Sequence, residues 1–324
     1  MKITAQIEST NKYYKKLLNF VNYGKKIKLY LIMHIIRKKI LKNFDPEIKV
    51  KIGERFLFIN LAHKLPIYYY KYSNYDRALP RISKKLKEID KQLCVIDIGA
   101  NIGDTIFFIT NVAKGSFLCV EGNKNFLPIL EKNIKHAANI NHIKIEQCYC
   151  GDDTNNEFSI TQNNGTAKII KENKSNTNGK SATKIMIKKL DDIINDHMEF
   201  AHSNLLKIDT DGYEIEVLKS GVNFIKTTRP LIYFEFTPSL YLNNKQNPDD
   251  IWQILKTHGY EKALFYNNFG EALGLIDIRD KDKINQMVDK IDEKNIYYFD
   301  ILTCHNSDDK YFEILKSELN IFGK

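Results

Sequence analysis

The stretch from Cys94 to Thr105 reads C-V-I-D-I-G-A-N-I-G-D-T: a short apolar run that closes on Asp97 and Gly99, then a glycine turn that opens a helix. In open α/β sheets, ligands bind where a strand's carboxyl end turns into such a helix. The same rhythm continues downstream. Strands are predicted at 94–98, 116–120, 143–148, 204–208 and 231–236, with helices at 103–113, 124–139 and 213–220, the pattern of βαβ units on a mostly parallel sheet.

Further out the signals change. Residues 48–72 alternate loosely around Gly53 and Pro66 and predict a hairpin, followed by a helix from about Asn74 or Asp76 to Glu88. A polar insertion from Thr161 to Thr183, rich in Asn, Lys, Thr and Ser, reads as a surface loop. Beyond Pro248 the chain predicts a helix around Trp252, a hairpin about Gly270, another helix and a last strand at 297–303. The expected division is a basic helical arm over 1–45, a hairpin and helix over 46–92, an α/β domain over 93–304 and a C-terminal helix over 305–324.

Charge is distributed unevenly over the 324 residues. Residues 1–45 hold eleven Lys or Arg against Glu8 and Asp45, which accounts for the whole formal charge of +9; the remainder carries 38 charges of each sign. Within the arm, Tyr13, Tyr14, Leu17, Leu18 and Val21, and then Leu29, Ile32, Met33, Ile36 and Ile40, recur at helical spacing. Two readings stand: residues 12–43 lie on an anionic membrane, or they pack as helices on the body or a partner. A neutral body with no basic groove makes nucleic acid an unlikely partner. Five cysteines without a CxxC pair suit a reducing compartment, and the start of the chain lacks a signal peptide's apolar core. The expected location is the cytoplasm, with peripheral contact at the inner face of the cell membrane through the arm.

The strand ends carry the candidate ligand groups. A dinucleotide turn needs a middle glycine, but Asn101 stands between Gly99 and Gly103, which disfavours a diphosphate. A nucleoside without phosphates, such as S-adenosylmethionine, does not need that close approach, and Asp97 suits its cationic amino group. Glu121, 24 residues beyond Asp97 at the end of the second strand, is placed to accept ribose hydroxyls. Asp152, in the Gly-Asp after the third strand, is placed to accept an adenine amino group. Taken singly, each acid reads equally well as a solvated strand end or a helix cap. Three in succession point to one site.

The fourth strand ends in K-I-D-T-D-G-Y-E, from Lys207 to Glu214, and the fifth buries Glu235 in an apolar run. Asp211 reads either as a rim acid beside Asp209 or as the cap of the next helix. A carboxylate placed like Glu235 is costly unless it is paired or chemically useful.

Together, D-I-G-A-N-I-G-D-T, the Val-Glu of the second strand, the Gly-Asp after the third and K-I-D-T-D-G-Y-E-I-E-V-L-K-S-G resemble the FkbM family of S-adenosylmethionine-dependent methyltransferases, over about residues 66–240. The family's usual K-I-D-V-E-G-x-E appears with Thr210 for Val and Asp211 for Glu. The resemblance implies a class I, Rossmann-like methyltransferase sheet with the cofactor over the first strands' carboxyl ends. It further implies transfer to hydroxyl groups, often on sugars or natural products.

The expected reaction is therefore O-methylation of a sugar, glycan or glycolipid precursor. Asp97, Gly99, Asn101, Gly103, Glu121 and Asp152 would hold the cofactor, and Asp209, Asp211 and Glu235, in that order, are candidates for the general base. His63 is a possible entrant from the preceding hairpin. A Mg²⁺ site on Asp209, Asp211 and Glu235 is a less favoured variant, so no metal ligand is assigned. The rival functions are an RNA methyltransferase and a catalytically silent scaffold tethered by the arm.

Overall fold

A computed structural model describes residues 45–152, 158–163, 166–171, 186–291 and 293–323. The basic arm, apart from Asp45, lies outside the described residues.

The described chain begins with a hairpin, β1 (Glu47–Ile52) and β2 (Arg55–Asn60), turning at Gly53. Next come α1 (Leu65–Lys71) and α2 (Ala78–Asp90). The predicted hairpin is thus right as far as residue 60, but residues 65–71 are helical. Pro66 lies in the first turn, where its missing N–H costs nothing and its fixed φ already suits a helix.

The sheet core follows: β3 (Cys94–Ile98), α3 (Asp104–Ile109), β4 (Gly115–Val120), α4 (Leu127–Lys135) and β5 (Ile140–Glu146). Helix α4 starts three residues later than predicted, with Pro128 in its first turn. Strand β5 ends at Glu146 instead of 148 because its partner β4 ends at Val120, directly opposite. Residues beyond it form β6 (Tyr149–Cys150), which pairs outside the main sheet with β9 (Ile187–Lys188).

Part of the predicted insertion loop is strand: β7 (Phe158–Asn163) and β8 (Thr166–Lys171) pair antiparallel. The signal was present in Asn164-Gly165, a dipeptide favoured in tight hairpin turns. The second half comprises α5 (Leu190–Asp196), β10 (Leu205–Ile208), α6 (Glu214–Ser220), α7 (Val222–Thr228), β11 (Leu231–Phe236), α8 (Pro238–Asn243) and α9 (Asp249–Thr257). It closes with β12 (Tyr260–Asn267), β13 (Ala272–Asp277), α10 (Lys281–Val288), β14 (Phe299–His305) and α11 (Asp309–Asn320).

Eight strands form one sheet in the order β13-β12-β14-β11-β10-β3-β4-β5. The run from β11 to β5 is parallel, and β14 lies antiparallel beside β11. This is the predicted α/β, mostly parallel class I methyltransferase sheet. From β3 the chain winds outward through β4 and β5, then returns to β10 and β11 on the other side. The crevice between β3 and β10 is therefore a topological switch point, where such sheets bind ligands.

Successive residues of each strand face opposite layers. Ile96, Leu118, Leu206, Ile232 and Phe234 pack in one core, whereas Val95, Phe117, Leu205, Leu231 and Tyr233 pack in the other, beneath α2, α3 and α11. By the same alternation Asp97, Lys207 and Glu235 face the second layer, as does Asp300 of β14, directly opposite Glu235.

The leading hairpin is fixed to the motif turn by one buried side chain. Asn133 accepts from the Phe58 amide at 2.8 Å and donates to the carbonyls of Phe58 and Ile102, also at 2.8 Å. Asn133→Leu leaves three buried backbone groups without partners and is expected to cost about 2–4 kcal/mol, read as a lowered urea midpoint.

Candidate functional site

The site begins with a buried charge. Lys207 and Asp97 are register partners on β10 and β3, and Lys207 Nζ lies 3.0 Å from Asp97 Oδ1. The same ammonium donates to the Gly99 carbonyl at 3.0 Å and reaches Asp209 Oδ2 at 3.5 Å. Asp97 is fully buried and Lys207 is 5% exposed. Burial opposes the lysine's charge, but Asp97, Asp209 and Asp104 outweigh it and hold the ammonium above the ordinary lysine pKa. The cation that meets Asp97 is thus the protein's own, and Asp97 lines neither of the two hollows at the strand ends. A strand-interior residue of β3 sits below the turn, not at its surface.

Gly99 lies over this pair with φ +79°, and a Cβ there would fall 1.9 Å from the Asp209 carbonyl oxygen. The glycine is needed because two strand ends pass in contact, and it lines both hollows at the strand ends. Gly103, also at φ +79°, would set a Cβ 2.8 Å from Leu130; it serves helix packing and lines neither hollow. Glu121, largely buried, accepts the Asn101 amide on Oε2 at 2.8 Å and the Asn123 amide on Oε1 at 2.7 Å. Burial pushes its carboxyl up, and these two amides pull it back.

Two hollows meet over the turn. The smaller, about 70 Å³, lies against Gly99, Asn101, Glu121, Gly122 and Tyr149. Tyr149 narrows it: a Cβ on Gly122 would lie 2.4 Å from its ring, and its buried hydroxyl has no hydrogen-bond partner among the described residues. The larger, about 480 Å³, opens toward β11 and β14. Gly99, Asn101, Asp209 and Asp211 line both.

The larger hollow gathers carboxyls. Asp209, Asp211 and Glu235 line it as a group, and Asp76, Asp104 and Asp300 join them, with Lys207 the one Lys or Arg on the described wall. Burial, followed by the charges of Asp209, Glu214, Asp211 and Asp300, pushes Glu235 well up; it accepts the Thr237 hydroxyl at 2.8 Å. Burial and then the Asp209 charge push Asp300 up to about 7, against a hydrogen bond from the Tyr233 hydroxyl and the Lys207 charge.

Other expectations are revised. Asp152 does not close a strand of the main sheet. It follows β6, is 43% exposed at its side chain, pairs with Lys189 at 2.7 Å and lines neither hollow. The chain leaves β5 early, which carries Asp152 off the rim. Glu214, at the end of the motif that begins at Lys207, is buried and turns inward, accepting from the Thr210 amide at 2.8 Å, the Thr210 hydroxyl at 3.0 Å and the Gly212 amide at 3.3 Å. Asp211 is not the helix cap: α6 begins after Tyr213 with no side-chain cap, and Asp211 holds left-handed backbone at φ +53° in the turn that Glu214 ties down. His63 does reach the larger hollow. Among the described residues, no three His, Cys, Asp or Glu side chains are arranged to hold a metal ion.

Lys207, Asp76, Asp104 and Asp300 were missed by the sequence reading. The test that singled out Glu235, a charge inside an apolar run, would have found two of them. Lys207 stands in Leu-Leu-Lys-Ile and Asp300 in Phe-Asp-Ile-Leu.

Three outcomes follow from this geometry. Lys207→Met leaves Asp97 charged and unpaired in the interior and is expected to cost about 3–5 kcal/mol, measured by urea unfolding. Gly99→Ala is expected to cost at least about 1–3 kcal/mol from the left-handed backbone alone, with a further loss from the contact with Asp209, read in the same assay. The third concerns pH. A carboxyl raised on folding favours the fold while it is protonated, and that advantage is lost as pH climbs from its unfolded value of about 4 through about 7. Asp300→Asn should therefore raise the melting temperature more at about pH 8 than at about pH 5.

Residues 97–262 match the model of the methyltransferase FkbM domain. No curated protein matches the chain. Among solved structures, the FkbM methyltransferase of Methylobacillus flagellatus KT is similar at 19% identity over 51% of this chain, with a TM-score of 0.34; the chain spans only 37% of that protein's length. A Staphylococcus aureus protein provisionally assigned as a caffeoyl-CoA O-methyltransferase matches at 10% identity, covering 90% of this chain and 99% of its own, with a TM-score of 0.38. A Pyrococcus horikoshii protein provisionally assigned as a transferase matches at 12% identity, covering 82% of this chain and 74% of its own, with a TM-score of 0.40. With the domain match spanning just over half of its residues, the chain belongs to the FkbM methyltransferase family.

Proposed function

We propose that the chain is an S-adenosylmethionine-dependent O-methyltransferase acting on a hydroxyl of a sugar, glycan or glycolipid precursor. One observation carries the reading: a hollow walled by carboxyls opens at the switch point and shares the Gly99–Asn101 turn with a second hollow beside Glu121.

The residues present fit a sulfonium cofactor. Asp209, Asp104 and Asp211 supply negative potential where a cation would lie, and the bare Gly99 turn lets a ligand approach the backbone. Glu121 retains acceptor capacity for ribose hydroxyls, because a carboxylate has about four lone-pair sites and two backbone amides use only part of them. Ligand pockets usually hold about 300–1,000 Å³, far more than the hollow beside Tyr149, so admission of a nucleoside requires that ring to swing off Gly122. When bound, the cofactor supplies an electrophilic methyl group. The protein's task is then to orient the acceptor oxygen and remove its proton.

A wall of carboxyls accepts hydrogen bonds from hydroxyls and repels phosphates. It therefore favours a hydroxyl-rich, non-anionic acceptor over RNA. Within the described residues no helix is long and apolar enough to cross a membrane. The proposed contact of residues 12–43 with an anionic membrane rests on the sequence of the arm.

Calorimetry should show S-adenosylmethionine binding to the purified chain, weakened about tenfold or more in Glu121→Ala. Absence of binding by the parent would sink the proposal, and unchanged affinity in the variant would refute the ribose role. Radiolabelled methyl transfer into fractionated polysaccharides, lipids and RNA is expected to label the first two and leave RNA blank.

A further inference from the structure

We infer that Asp300, on a strand outside the matched domain, is the general base of the reaction, paired across the sheet with Glu235 as the two carboxyls that grip the acceptor hydroxyl. The inference rests on the methyltransferase reading above and adds a residue to that site.

Position is the first argument. Asp300 and Glu235 are direct partners in the antiparallel ladder of β14 and β11, so their side chains leave the same face side by side, and both line the larger hollow. Tyr233, two residues before Glu235 and on the same face, has its hydroxyl beside Asp300, where it favours the ionised carboxylate. Thr237 donates to the other carboxyl at Oε1. Each acid thus has a hydroxyl next to it and lines the hollow.

Charge is the second. Two carboxyls side by side do not both ionise readily, and the pair divides the roles. Burial first, and then the charges of Asp209, Glu214, Asp211 and Asp300, favour the protonated form of Glu235, the form that can donate a hydrogen bond to the acceptor. Asp300 sits at about 7, near the optimum for a base at neutral pH. The groups around it are Lys207 and Asp209 at β10, Tyr233 and Glu235 on β11, Tyr266 on β12, Tyr75 and Asp76 ahead of α2, and Tyr298 on its own segment. Lys207 is the one cation among them, and it favours the ionised form.

In the step, Asp300 takes the hydroxyl proton while the acceptor oxygen bonds to the methyl carbon. The carbon–sulfur bond of the sulfonium donor breaks with its electron pair left on sulfur. The proton later passes to water.

Methyl α-D-glucopyranoside serves as probe in two experiments on the full chain. By saturation-transfer NMR on the cofactor-free protein, its binding should strengthen several-fold between about pH 6 and pH 8, and this dependence should vanish in Asp300→Asn but persist in Lys189→Ala, which lies off the site. With radiolabelled S-adenosylmethionine, transfer to the probe should rise with a midpoint near 7, and Asp300→Asn should lower it about 10²- to 10⁴-fold with cofactor affinity unchanged. Should Asp300→Asn fail to fold, Tyr233→Phe gives an independent reading: loss of the donor must move the midpoint upward. A pH-independent or absent probe interaction, a parental profile in Asp300→Asn, or an unmoved midpoint in Tyr233→Phe overturns the assignment of Asp300. Loss of S-adenosylmethionine binding by the parent instead overturns the methyltransferase reading itself, so the two failures are distinct.

Discussion

Everything at the strand ends depends on one buried lysine. Lys207 crosses the switch point from β10 to β3, pairs with Asp97, and holds both the Gly99 carbonyl and the Asp209 carboxylate. An ammonium taken out of water is tolerated only when its donors are satisfied and its charge is matched, and each partner is supplied by a strand end that must stay in register for the match to hold. The pair therefore acts less as a source of net stability than as a lock on geometry. A slip of one residue in β10 would turn Lys207 to the opposite layer, among Ile96, Leu118 and Ile232.

That lock explains why the site is built from backbone as much as from side chains. Gly99 touches Asp209, Glu121 ties together the amides of Asn101 and Asn123, and Glu214 ties down the turn that carries Asp211. Glu121 and Glu214, turned inward, each hold a loop still. Such loops have no regular hydrogen bonding of their own, and buried backbone groups must be satisfied somewhere. The carboxyls left over face the larger hollow, where burial first and neighbouring carboxylates second raise the proton affinity of Glu235, Asp300 and Asp76.

The parallel strands β3, β4, β10 and β11 were legible because each is a short apolar run bounded by turn residues, and that signal is local. The errors lie where a second element decides. The end of β5 is set by the length of β4, so Cys148 and Asp152, which continue the run in sequence, leave the sheet in space. Residues 65–71 alternate enough to pass for a strand, but Pro66 and burial of Leu65 and Ile67 beside the hairpin select a helix. The site follows the same rule. Asp209, Asp211, Glu235 and the glycine turn with Asp104 at its end stand in motifs that the sequence displays, whereas Asp76 owes its place to the segment ahead of α2, a placement that no local pattern encodes.

The antiparallel strand β14 brings part of the larger hollow's wall from outside the matched range. The parallel strands carry the turn that the family shares, but β14 arrives from beyond residue 262, outside the matched domain, and inserts next to β11. Because it runs antiparallel, its first residues, not its last, lie beside the carboxyl end of β11. Tyr298 and Asp300 can therefore enter the same hollow as Glu235 without disturbing any contact of the Gly99 turn. The Lys207 pair constrains the Gly99 turn, while the far wall of the larger hollow comes from other segments, the chain before α2 and β14, whose Asp76 and Asp300 feel the Lys207 charge across the hollow.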